Sequence, residues 1–107
     1  MVRVGWARVH GRSMEPTLRD GDRLLVVHGA APRPGAVCVV RLPDGTVAVK
    51  RATRRHEDGW WVERDNPVVG VDSWRVGAIP DGDVLAVAAA RAWPRPAIIR
   101  RRTRRPG

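Results

Sequence analysis

The strongest constraint on the fold is a hairpin. Two apolar runs, residues 36–42 and 46–52, flank Asp44-Gly45. An Asp-Gly pair between such runs supplies the positive backbone angles of a tight β-turn, so this stretch is read as two paired strands. The rest of the chain repeats the pattern. Further strands are expected at residues 6–10, 23–27, 60–64 and 84–93, separated by Asp20-Gly21-Asp22, a Gly/Pro loop at 29–35, a polar turn at 54–59, a loop at 68–77 and Pro80-Asp81-Gly82-Asp83. Val dominates the apolar residues, Phe and Tyr are missing, and five Trp supply the aromatic bulk. That bias favours pleated, half-buried surfaces. The expectation is an all-β, antiparallel domain.

The return strand of the hairpin carries Lys50, the only lysine among 20 Lys+Arg. Where positive charge alone is needed, this sequence uses arginine. A guanidinium keeps its proton in a protein, whereas a buried amine can lose it and act as a base. Period-2 alternation puts Ala48 and Lys50 on one face of the strand and Val47, Val49 and Arg51 on the other. Serine is as scarce, at Ser13 and Ser73 only. Ser13 follows Gly11, which permits a tight turn. These residues are read as a dyad, with Ser13 as nucleophile and Lys50 as its base. The competing readings are a helix N-cap for Ser13 and a surface lysine for Lys50.

The dyad makes demands on its surroundings. An ordinary lysine titrates at about 10.4, so its neutral form is scarce at pH 7. Apolar burial favours that form, and an adjacent carboxylate opposes it. Lys50 is therefore expected among apolar groups, with Asp72 paired to Arg51 or Arg75 instead. The backbone N–H of Ser13, beside Gly11, is the expected oxyanion donor. An extended substrate would pair with an exposed strand edge.

The formal charge of +9 is uneven: seven arginines lie in residues 91–107, which leaves +2 for residues 1–90. The expected division is a catalytic domain at 1–93 and a basic, disordered tail at 94–107. Cys38 is the single cysteine, and His10, His28 and His56 are scattered, so neither a disulfide nor a metal-ligand pattern is present in the sequence. No metal or other cofactor is expected. No apolar run approaches the roughly 20 residues of a membrane span, and the N-terminal residues lack a signal-peptide core. A soluble, cytoplasmic chain is the expectation.

Three segments resemble the type I signal peptidases. Gly11-Arg12-Ser13-Met14-Glu15-Pro16-Thr17-Leu18, with Gly21-Asp22, resembles their nucleophile box. Val49-Lys50-Arg51-Ala52 resembles their lysine box. Asp65-Asn66-Pro67 followed by Val71-Asp72-Ser73-Trp74-Arg75 resembles their third box. The resemblance implies coiled antiparallel sheets like those shared with the LexA-like catalytic core, one short helical turn after the nucleophile, and a Ser/Lys dyad. It further implies cleavage after small side chains at the first and third positions before the bond. In such a site Met14, Pro16, Arg51, Asp72, Ser73 and Arg75 give structural support. Arg64 stands where a glycine is common, Gly70 replaces a serine, and Trp74 displaces the arginine after Asp72-Ser73.

A short, Arg-rich chain without a span is similar to the members that mature nickel-type superoxide dismutase in actinobacteria. That similarity implies a precursor protein as partner, whose short N-terminal leader is removed. Two other readings stand beside it: general processing of secretory precursors, and binding of nucleic acid or an anionic surface through the arginine tail. A self-cleaving repressor domain is not expected, because only 12 residues precede Ser13.

Overall fold

The computed structural model describes residues 2–67 and 76–102. Its strands are β1 (Arg3–Arg8), β2 (Arg23–His28), β3 (Ala36–Arg41), β4 (Val47–His56), β5 (Gly59–Glu63), β6 (Ile79–Pro80), β7 (Val84–Trp93) and β8 (Ala97–Ile98). They form one curled antiparallel sheet in the order β1-β2-β7-β3-β4-β5-β6, with β8 added to β7. The all-β expectation holds. Register shifts interrupt the β2–β7, β3–β7 and β4–β5 ladders. Each bulge bends its strand and increases the local twist, which helps the sheet to curl.

β3 is the structural centre, with residues 36–40 all buried. Its alternation feeds two cores. Val37 and Val39 pack in a cluster with Met14, Leu18, Leu24 and Val26. Ala36, Cys38 and Val40 pack in a second cluster with Ala52, Val62 and Ile79. A strand buried on both faces explains why its sequence is a continuous apolar run.

The expected hairpin at Asp44-Gly45 forms, with Val39 opposite Val49 and Cys38 opposite Lys50. Other boundaries move. β1 starts earlier than residue 6, and Val9 follows it, still bonded by backbone to Asp22 and Gly21. β4 runs on to His56 through the expected polar turn. The guanidinium groups of Arg54 and Arg55 lie 4.8 and 5.6 Å from the ring centroids of Trp61 and Trp60, so these arginines cover aromatic surface from within a strand.

The largest departure concerns the C-terminal segment. One edge of β7 pairs with β2; the other is shared between β3 near residues 84–87 and β8 at residues 90–91. Ile99 donates to Ala89 O, and Arg102 donates to Gly35 O at 3.0 Å. Ile99 also packs on the first core. Gly35 has φ +90, and a Cβ there would lie 2.8 Å from Arg102 O. A glycine is thus required both by its conformation and by the crossing segment. Residues 97–102 belong to the folded body rather than to a disordered tail.

Candidate active site

The Ser13 loop joins β1 to β2 and is closed at its base. Val9 N–H donates to Asp22 O and Gly21 N–H to Val9 O, each at 2.8 Å. Inside the loop, Gly11 N–H donates to Asp20 Oδ1 at 2.7 Å and Arg19 N–H to Asp22 Oδ2 at 2.9 Å. Met14 and Leu18 are both 1% exposed and anchor the loop in the first core. Burying two such side chains stabilises the loop by roughly 2 kcal/mol each. Residues 13–17 form turns, with one Leu18 N–H to Met14 O bond of 2.9 Å. This is the single short helical turn expected after the serine. No helix follows, so Ser13 does not cap one. Pro16 is exposed at this turn, and the Gly11 N–H is already engaged by Asp20. Gly11 thus shapes the turn with its φ of +84.

Lys50 is 2% exposed, which rules out the surface-lysine reading. Strand register gives its neighbours within the sheet. Cys38 is its cross-strand partner in β3, and Ala36 and Val40 lie diagonally on the same face. Ala48 and Ala52 flank it along β4. Burial pushes the Cys38 thiol up to about 12, despite a backbone hydrogen bond and the charge of Arg51. The residue opposite Lys50 therefore stays a neutral thiol.

The Ser13 loop and β4 are tied together by residues that sequence reasoning gave no role at the site. Asn66 N–H donates to Ser13 O at 2.8 Å, and Asn66 Nδ2 donates to Arg12 O at 2.9 Å. Next to it, Asp65 accepts from Thr17 Oγ1 at 2.6 Å, Arg51 Nε at 2.9 Å and Arg51 Nη2 at 2.6 Å. Arg102 lies 3.1 Å from the same carboxylate. Arg51 also donates to Gly35 O at 2.7 Å. Burial raises the Asp65 carboxyl, but the bonds from Arg51 and Thr17 and the charges of Arg51 and Arg102 outweigh it and hold the group below its usual range. Arg51 is thus engaged by Asp65. Asp72, Ser73 and Arg75 lie outside the described residues. The clue available in the sequence was Asp65-Asn66 itself, in the third matched segment.

A cleft of about 580 Å³ opens beside Ser13. Trp6, Ala7, Arg8 and His10 line it on the β1 side, and Thr46, Val47, Ala48 and Val49 on the β4 side. Among the described residues, β1 is the end of the sheet order and pairs with β2 alone. The pairing of β4 with β5 begins at Arg51, and among the described residues the outer edge of 47–49 has no strand neighbour. The cleft can therefore receive an extended chain alongside the serine.

These three segments fall within residues 2–75, and the family model described as Peptidase S24-like matches that span. The chain belongs to the Peptidase S24-like family. No curated protein matches it. Membership gives a Peptidase S24-like chain serine-type peptidase activity at the level of the family. The match covers Ser13, Lys50, Arg51 and Asp65, and the sheet agrees with the Peptidase S24-like fold. The strands β6, β7 and β8 lie beyond it. Among the described residues, no group of three or more His, Cys, Asp or Glu is placed to hold a metal ion, and no helix is long and apolar enough to cross a membrane.

Proposed function

We propose that this protein is a Ser/Lys-dyad endopeptidase that removes a short N-terminal leader from a precursor protein, the precursor of a nickel-type superoxide dismutase. What supports the dyad is a tie between the serine loop and the lysine strand: Asn66 bonds Ser13 O, and Asp65 holds Arg51, the chain neighbour of a buried Lys50. The specific substrate rests on the sequence resemblance.

The chemistry follows from the residue types. Burial disfavours the charged form of an amine, and the mechanism uses Lys50 in its neutral form. That amine takes the proton of Ser13 Oγ as the oxygen bonds to the scissile carbonyl carbon. The carbonyl oxygen becomes an oxyanion and is met by the Ser13 backbone N–H. Collapse of this intermediate breaks the C–N bond, and the Lys50 ammonium protonates the leaving amine. Water, deprotonated by the same amine, then attacks the acyl ester and frees Ser13. The precursor lies extended between the open edges of β1 and β4. Arg51 and Asp65 do no proton transfer; they hold the β4 side of the site against the serine loop.

The test is incubation of the purified protein with a nickel superoxide dismutase precursor, read by intact mass. One cut at the leader junction by the wild type, absent in Ser13→Ala and Lys50→Arg, is the expected result. Cutting of a secretory signal peptide but not of this precursor would replace the substrate assignment. Equal cutting by Lys50→Arg would remove the dyad.

A further inference from the structure

A second recess lies over the outside of β1. It encloses about 640 Å³ and is lined by Trp6, Ala7, Arg8, Arg23, Ala92 and Trp93. Trp6 is 70% exposed and Trp93 56%. Two tryptophans in water are large exposed apolar surfaces, and tryptophan and arginine are the side chains that dominate binding hot spots. The guanidinium of Arg23 sits 5.1 Å from the Trp93 ring centroid.

The groove is basic, and its two arginines differ from those held in ion pairs. Arg41, Arg51, Arg55 and Arg91 each face a carboxylate. Arg8 and Arg23 have no carboxylate partner among the described residues. No Asp or Glu lines the groove, and none lines the cleft beside Ser13. The two recesses adjoin: Trp6, Ala7 and Arg8 line both. β1 is therefore a shared wall, with its outer edge open. A peptide leaving the cleft over that edge meets two tryptophans and two cations without a carboxylate partner.

We infer that the Trp6–Trp93 groove is an exosite for the flank of the peptide substrate, and that it selects a flank in which aliphatic or aromatic side chains alternate with Asp or Glu. This rests on the reading of the cleft as a peptide-binding site. The apolar side chains cover Trp6 and Trp93, and the carboxylates meet Arg8 and Arg23. The same side chains would suit stacked bases and phosphates. The wall shared with the cleft favours peptide.

Two fluorescent peptides test this on the full chain carrying Ser13→Ala: Glu-Leu-Asp-Trp-Glu-Leu and its amide counterpart Gln-Leu-Asn-Trp-Gln-Leu. The acidic peptide is expected to bind about tenfold more tightly, and added salt should erode the difference. Trp93→Ala should weaken acidic-peptide binding about tenfold and Arg23→Glu at least fivefold. Equal binding of the two peptides would overturn the inference without any variant having to fold. So would an oligothymidine that binds more tightly than the peptide with the same dependence on Arg23 and Trp93. Turnover is read separately. If the wild type cuts nothing while the acidic preference persists, the exosite stands and the peptidase reading falls. If it cuts substrates with acidic and amide flanks equally well, the reverse holds.

Discussion

The two sides of the Ser13 loop are built on opposite principles. On the Asp65 side, charge is buried and satisfied. One carboxylate receives Thr17, both arms of Arg51 and the approach of Arg102, and the C-terminal segment crosses over Gly35 to close it. On the β1 side, backbone edge, tryptophan and arginine are all left open. A buried ion pair adds little net stability over an apolar replacement, yet breaking one is costly. Such a pair suits a support that must keep a single geometry. An open strand edge beside cations without a carboxylate suits a surface that waits for a ligand. The difference locates rigidity behind the serine and receptivity in front of it.

The sharpest way to break that contrast is at the reacting groups. Ser13→Ala and Lys50→Arg should each lower kcat by a thousandfold or more, on the order expected for loss of a nucleophile or its base, in single-turnover cleavage of the precursor. Ser13→Ala should leave the urea midpoint within the error of the wild type. Next comes the support. Asp65→Asn leaves Arg51 buried without its carboxylate and should cost about 3 kcal/mol in urea denaturation. pH sharpens this prediction. Because Asp65 is held below its usual range, its contribution is fully present above the ordinary aspartate value of about 3.9 and is lost as pH falls through the lowered one. Between pH 5 and pH 2 the wild type should therefore lose more stability than Asp65→Asn does.

A smaller effect is expected from removing residues 97–107, which strips β8 and Ile99 from β7 and the first core. A loss of roughly 2 kcal/mol follows from the apolar surface uncovered. If turnover survives at low temperature, the segment supports the site and does not act in it. Unchanged stability would mean that the segment is not packed on the sheet. The smallest effect belongs to Arg102→Ala. Its side chain is 59% exposed, so the pair with Asp65 should be worth about 0.5 kcal/mol. That increment should vanish in an Asp65→Asn background.

The parts legible in the sequence are those with local causes. Asp44-Gly45 specifies its own turn, and the valines on either side specify strands, so the hairpin carrying Lys50 could be read directly. The burial of Lys50 was legible through its isolation among arginines. Two features resisted because their causes are distant in sequence. Arg51 binds Asp65, 14 residues away, and nothing local singles that acid out. The segment after Pro96 reads as a charged tail because arginines dominate it. Ala97, Ile98 and Ile99 are too few to announce a strand, and the order comes from an edge of β7 that β3 leaves unpaired. β4 outran its expected end for a related reason: the flat faces of Trp60 and Trp61 give its arginines a surface to lie on.

The sealed thiol opposite Lys50 turns the protein into its own stopwatch. Cys38 is fully buried and its proton is held until about pH 12, so a thiol reagent reacts with it only while β3 and its neighbours are apart. Labelling rates at rising reagent concentration would separate how often that part of the sheet opens from how quickly it closes. Because one cysteine gives one signal, the rates need no deconvolution. A bound peptide that slowed the labelling would register that the cleft and the heart of the sheet open together.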